Sequence, residues 1–223
     1  MKENINTEQY WNWRFASGDW ENKNGREQTK AFAKEQVKKY NFPKNFNGVI
    51  LDFGCGLGDA IPVYHQYFPL AKLIGVDHSE VAIRKCQEKY GSLAIFIKDD
   101  GLNIPFADII IASNVFEHIT NYNEVAIRLL NKCKRLFIIV PYKQKLADNN
   151  DSEHINSFDE NSFSQFEVIR TTIYRSKGFK QRSLLWIFWN VYIKNILRFL
   201  LYGMIIKYNA QKQIMFEIKG FHK

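Results

Sequence analysis

Five short apolar runs, alternating with stretches of helical periodicity, constrain this chain more than any other feature. They cover residues 49–53, 72–77, 93–97, 108–113 and 135–140. Each is of strand length and rich in branched aliphatics, without polar alternation, so each has to be covered on both faces. Between them, residues 59–68, 79–90 and 121–132 read as helices, with Ser79 a fitting N-cap and Gly91 placed to end the second. Strands that alternate with helices in this way build an α/β fold around a mostly parallel sheet with helices on both faces.

The flanks differ from this centre. Residues 7–40 read as helix in pieces, 158–166 as a short helix, and 166–174 and 213–219 as two late strands. The 223 residues fit one elaborated domain. Its expected parts are a helical cap (1–45), a sheet core (46–174 and 211–220) and a basic aromatic helical insertion (175–210). Cys55, Cys86 and Cys133 have no spacing suited to a disulfide frame or a zinc site, which fits a reducing compartment. The first residues lack the apolar stretch of a signal peptide, so a cytoplasmic protein is expected.

The first chemistry lies in Val49-Ile-Leu-Asp-Phe-Gly-Cys-Gly-Leu-Gly-Asp-Ala60. Three alternating glycines between a buried strand and a helix let the main chain turn sharply and let a ligand approach it. Dinucleotide sites usually carry GxGxxG and place pyrophosphate on the helix N-terminus. Here the spacing is GxGxG and Asp52 precedes it, a carboxylate that repels pyrophosphate and suits a sulfonium or ammonium group. Asp77 closes the next strand where a carboxylate can accept from both ribose hydroxyls. Asp100 and Gly101 end the third strand, the acid suited to an adenine amino group and the glycine leaving room for the ring. Cys55, inside the turn, and His78, beside Asp77, join this cofactor set.

Together these pieces resemble class I S-adenosylmethionine-dependent methyltransferases. The resemblance rests on LDFGCGLG (51–58), GVDHS (75–79), KDDGLNIPF (98–106), DIIIASNVFEHI (108–119) and RLFIIVP (135–141). It implies a Rossmann-like, seven-stranded sheet of order 3-2-1-4-5-7-6 with strand 7 antiparallel. It also implies cofactor contacts from Gly54, Gly56, Gly58, Asp77, Asp100 and the Ser113/Asn114 strand end, with S-adenosylhomocysteine as product. The aromatic block 7–33 is similar to the start of methyltransferases associated with bacterial surface-polysaccharide (capsule and O-antigen) synthesis.

Within that block Arg26 is a candidate for the methionine carboxylate, because a guanidinium matches it bidentately; Tyr10 and Thr29 are further candidates. The block can act as an aromatic lid or simply staple the first helix to the domain. For removal of an acceptor proton, His154 and His118 stand after strands and are candidate bases, and Tyr142 can orient an acceptor. His65 and His222 are incidental, as is His78 where a base is concerned. No acidic cluster of metal-ligand type stands at these rims, so no metal is expected.

Charge is uneven. Residues 170–223 carry 11 Lys/Arg against the single acid Glu217, whereas 1–169 carry 20 against 22 Asp/Glu. A basic segment suits an anionic partner or a plain solvated face. Within it, residues 183–206 form an amphipathic helical pattern that can be a buried or dimer face, a lid, or a peripheral membrane helix at the inner face of the membrane. The expected reaction is O-methylation of a small, sugar- or phosphate-linked acceptor in surface-glycan synthesis, a capsular phosphoramidate among the options. A nucleic-acid methyltransferase is disfavoured, since strand 4 ends in Ser-Asn-Val-Phe rather than an NPPY-type motif. A non-catalytic binding module and an NAD-dependent dehydrogenase are the remaining alternatives.

Overall fold

A computed structural model describes residues 5–144, 146, 153–176, 188–204 and 211–221. The five apolar runs form β1 (Val49–Phe53), β2 (Lys72–Asp77), β3 (Ile95–Lys98), β4 (Ala107–Ser113) and β5 (Cys133–Pro141). Two late strands, β6 (Val168–Arg175) and β7 (Lys212–Lys219), complete one seven-stranded sheet of order β3-β2-β1-β4-β5-β7-β6. The pairs from β3 to β5 are parallel, and β7 lies antiparallel between β5 and β6. This is the Rossmann-like methyltransferase sheet expected from the resemblance.

Each central strand feeds two cores, as an apolar run without alternation requires. In β4, Ile110 and Ala112 pack on one side with Leu51, Phe53, Leu136 and Phe163, while Ile109 and Ile111 pack on the other with Ile50, Tyr64, Phe68 and Phe137. The second core holds α3 (Gly25–Gln36), α4 (Ile61–Tyr67) and α5 (Glu80–Tyr90); α6 (Tyr122–Leu130) covers the first. Ser79 caps α5 by accepting from the Ala82 amide at 3.1 Å, and Gly91 ends it. Edge strand β6 alternates half-buried and exposed positions, as a strand with one solvated face should.

Two expectations on the flanks change. Residues 160–165 form successive turns rather than a helix. Asp159 Oδ1 accepts from the Asn161 amide (2.9 Å) and the Ser162 hydroxyl (3.1 Å), and such short polar side chains compete with helical bonding. The basic aromatic segment does form helix where it is described, π-helical over Phe188–Ile193 and then α7 (Lys194–Tyr202); 183–187 and 205–206 lie outside the described residues. No side chain of α7 is buried within the monomer, so core packing does not account for its apolar face. No helix among the described residues is long and apolar enough to cross a membrane.

The cap is α1 (Glu8–Ser17) and α2 (Asp19–Asn22), followed by α3. Thr7 caps α1, and Gly18, with φ +77°, turns the chain between α1 and α2. Phe15 seats the cap by packing against Leu57 and Ala82. Asn12 holds it to the start of α5, accepting from the Ser79 hydroxyl at 2.6 Å.

Candidate functional site

Beside the carboxyl ends of β1, β2 and β4, with the cap on its other side, lies a cavity of about 1530 Å³. That exceeds the roughly 300–1000 Å³ usual for a site that holds one small molecule, so two reactants have room. One wall is the glycine turn. Gly54, Gly56 and Gly58 all have φ between +52° and +72°, where a side chain is strained, and a Cβ on Gly54 would meet Val115 Cγ2 at 2.4 Å. The Gly54 and Cys55 amides donate to the Val76 carbonyl, which anchors the turn to β2.

Asp52 and Asp77 also line the cavity, 5% and 8% exposed. Burial, reinforced by the charge of Asp77, pushes the Asp52 carboxyl up to about 8. Asp77 is raised by burial too, against the opposing pull of His78 and of the backbone amides it accepts from. Its two oxygens take the Gly56 amide (2.8 Å) and the Ser79 amide (2.8 Å), fixing the acid against the turn. Asn114 ends β4 in a left-handed conformation (φ 55°), with its side-chain oxygen held by Gln213 at 2.9 Å.

Of the cofactor residues expected from sequence, Thr29, Asp52, Gly54, Cys55, Gly56, Asp77, His78, Asp100 and Asn114 line the cavity. Gly58 lies behind the turn against Cys86 and Tyr90, and Gly101 packs on Phe53. Arg26 is not among the lining residues either. Its guanidinium bonds both oxygens of Asp59 at 3.1 Å and reaches Glu21 at 3.3 Å, tying α2 and α3 to the glycine turn. Among the described residues, the guanidiniums that line the cavity belong to Arg14 and Arg128. Arg14 is 4% exposed and meets Glu153 and Asp19.

The opposite wall carries the candidate bases. A 3-10 turn, Phe116–His118, follows β4 and presents Glu117 and His118; the loop after β5 returns over it and presents His154. This loop is clamped by the Glu117 carbonyl, which accepts the Ile155 amide at 2.8 Å, and by the Asn156 side chain on the Phe116 and Ile119 carbonyls. The cap closes over it through Glu153, whose carboxylate takes the Tyr10 hydroxyl and the Arg14 guanidinium. His118 and His154 stand with ring centroids 4.8 Å apart, and Trp11 abuts His118 edge-on at 5.3 Å. Tyr142 lies outside the cavity with its hydroxyl on Glu160.

Sequence reasoning did not single out Glu117, Glu153 or Arg14. The pairs Glu117-His118 and Glu153-His154 were the available signal, one acid–imidazole dipeptide after each of two neighbouring strands. Only the return of the second loop over the first makes them one group.

Residues 50–137 match a family described as a methyltransferase domain. Among curated proteins, the trans-aconitate 2-methyltransferase of Yersinia pestis is 40% identical over 40 residues, 18% of this chain and 16% of that protein. The alignment thus spans about a sixth of the relative's length. Among solved structures, a chain of the complex between the Haloferax volcanii Trm112 methyltransferase activator and a methyltransferase has a TM-score of 0.68 at 11% identity, covering 95% of this chain and 98% of that one. The plantazolicin methyltransferase BpumL with S-adenosylhomocysteine has 0.58 at 19%, covering 96% of each chain. Coclaurine N-methyltransferase bound to N-methylheliamine and S-adenosylhomocysteine has 0.60 at 14%, covering 86% of this chain and 72% of that one.

Proposed function

We propose that this protein is an S-adenosylmethionine-dependent methyltransferase acting on an oxygen of a small, sugar- or phosphate-linked acceptor. The class is supported by the matched domain, by the sheet order and by neighbours of the same fold that hold S-adenosylhomocysteine. The observation that carries the reading is one cavity with two chemically different walls. The glycine turn, Asp52, Asp77 and Asp100 form a wall suited to an adenosyl ligand, whose sulfonium charge would favour the ionised form of Asp52. Glu117, His118 and His154 form a wall suited to a hydroxyl that must lose its proton.

The residues present fit the cofactor. Gly54 and Gly56 leave the turn without side chains beside the cavity, the Asp77 carboxylate suits ribose hydroxyls, and Asp100, on the same cavity, suits an adenine amino group. When bound, S-adenosylmethionine supplies an electrophilic methyl group, so the chain itself needs only to orient the acceptor, exclude water and receive a proton. Trp11, Phe15 and Trp20 of the cap line the cavity and exclude water. Each imidazole has Nδ1 facing an oxygen, the Glu153 carbonyl at 3.0 Å for His118 and the Gln144 side-chain oxygen at 2.7 Å for His154. For His118, whose partner is a backbone carbonyl that can only accept, Nδ1 carries the ring proton and Nε2 the lone pair that accepts one. Arg128 adds a guanidinium to the lining, a group that suits a phosphate-bearing acceptor. A surface-glycan precursor, with a capsular phosphoramidate as one example, meets that description.

Calorimetry with S-adenosylmethionine, S-adenosylhomocysteine and NAD tests the class. Binding of both sulfur ligands without NAD is expected, and NAD binding alone would overturn it. A panel of sugar phosphates assayed for methyl incorporation tests the acceptor, and incorporation into amines but not hydroxyls would replace oxygen by nitrogen as the target.

A further inference from the structure

The geometry points to a divalent transition-metal site formed by Glu117, His118 and His154. One ligand-capable atom from each of the three side chains lies within 4.8 Å of the others. Three atoms at that separation share a centre about 2.8 Å or less from each, and imidazole and carboxylate ligands close on such ions to about 2.0–2.2 Å. Inward side-chain movement of under about 1 Å therefore completes the site, within the adjustment that binding commonly brings to side chains.

Three further observations support a metal over a bare imidazole pair. First, the Nδ1 contact of His118 with the Glu153 carbonyl is of the outer kind that metal-bound imidazoles make. Second, the acid is buried. Glu117 is 1% exposed, and a carboxylate there is favoured by positive charge beside it. Glu117 is the carboxylate whose oxygen lies with the two imidazoles, and Glu153, the other acid at this wall, is held by Tyr10 and Arg14. Third, the backbone beneath is fixed. The Glu117 carbonyl and the Asn156 side chain hold the two loops in register, so the cluster does not depend on a mobile loop finding its partner.

Two imidazoles and one carboxylate suit zinc, manganese or iron rather than magnesium, which prefers oxygen ligands. Three protein ligands leave at least one position open, and the site faces the cavity, so that position opens toward the acceptor. This role rests on the proposed methyl transfer to oxygen. A hydroxyl held at the open position would become more acidic, and its proton would leave to bulk solvent at the cavity mouth. The wall would thus do through a cation what bare histidines would do as bases. The site's existence does not rest on that reading.

The test uses the whole chain, stripped with chelator and titrated with Co²⁺, a spectroscopic stand-in for zinc. One equivalent bound, with visible absorption of a low-symmetry four- or five-coordinate ion, is expected. His154→Ala, in the half-buried loop, should weaken binding by at least about 10-fold, and Glu117→Gln by a similar factor. Circular dichroism melting confirms that each variant is folded, and His118→Ala replaces Glu117→Gln should the latter unfold. No stoichiometric binding to the parent, or equal binding to folded His154→Ala, overturns the site. S-adenosylhomocysteine calorimetry on the stripped parent reports separately on the cofactor wall, so failure of the metal site and failure of the methyltransferase reading are distinguishable.

Discussion

Asp52 and Gly54 show how much single positions carry. The Asp52 carboxyl sits at about 8, well above the value near 4 it takes in an unfolded chain. Between those values the folded protein holds the extra proton. Its stabilising contribution is complete at low pH and is lost as pH rises through the folded value. Asp52→Asn should flatten this slope, so the variant gains on the parent as pH rises from about 5 to 8.5; urea unfolding at several pH values reads it. An equal slope in both proteins would place the titrating group elsewhere. At Gly54 a Cβ meets Val115 at 2.4 Å on a backbone with φ +72°. Gly54→Ala should cost about 1–3 kcal/mol and lower S-adenosylhomocysteine affinity at least tenfold. Adding Val115→Ala should recover only the steric share, because the backbone strain remains. Both residues were legible in sequence because a glycine turn preceded by an acid is local chemistry. Arg26 was not, since a guanidinium in a cap has no local signal for which acid it will meet, and it meets Asp59.

The cap and the late helix carry different consequences at the scale of elements. α1 reaches across the cavity to the loop after β5 through Tyr10 and Arg14, both on Glu153. Arg14 is almost fully buried, and removing one partner of such a pair costs about 3–5 kcal/mol at fully buried sites and less here, where Glu153 keeps 16% exposure. Arg14→Ala should therefore loosen α1 while leaving the sheet intact. Hydrogen exchange should quicken in residues 8–17 and stay slow in β4 and β5; uniform change would mean global destabilisation instead. α7 exposes Ile196, Leu197, Phe199, Leu200, Leu201 and Tyr202, with Lys194 and Arg198 on the same helix. An apolar face with cationic residues suits an anionic lipid surface. Co-sedimentation with vesicles containing phosphatidylglycerol should be lost in Leu200→Glu/Leu201→Glu, whereas an unchanged pellet together with a concentration-dependent mass in solution would assign the face to a dimer. The helix was legible from its four-residue polar spacing, but its exposure was not, because periodicity gives a face without saying what covers it.

Across the whole molecule, the cavity joins residues from Ile5 to Gln211, so ligand binding should stabilise the fold as a unit. At a ligand concentration of 100 times Kd the gain is about 2.7 kcal/mol, which for a chain of this size raises Tm by roughly 5–10 °C. S-adenosylhomocysteine should give this shift in thermal unfolding, and NAD should give none. Ligand-independent melting would remove the cavity from consideration as the cofactor site.

The sequence by itself determined the sheet. Uninterrupted apolar runs point to strands covered on both faces, as β1, β4 and β5 are, although edge strand β3 leaves Ile95 exposed. The acid-flanked glycine turn pointed to a ligand at the end of β1. Those are short-range facts, readable within a dozen residues. The tertiary structure alone decided which side chains share the second wall. Glu117 and His118 lie 36 or more residues from His154, and they meet because the loop after β5 bonds back onto the turn after β4. Long-range closure of that kind is set by backbone hydrogen bonds between loops that carry no periodicity, so no pattern in the chain announces it.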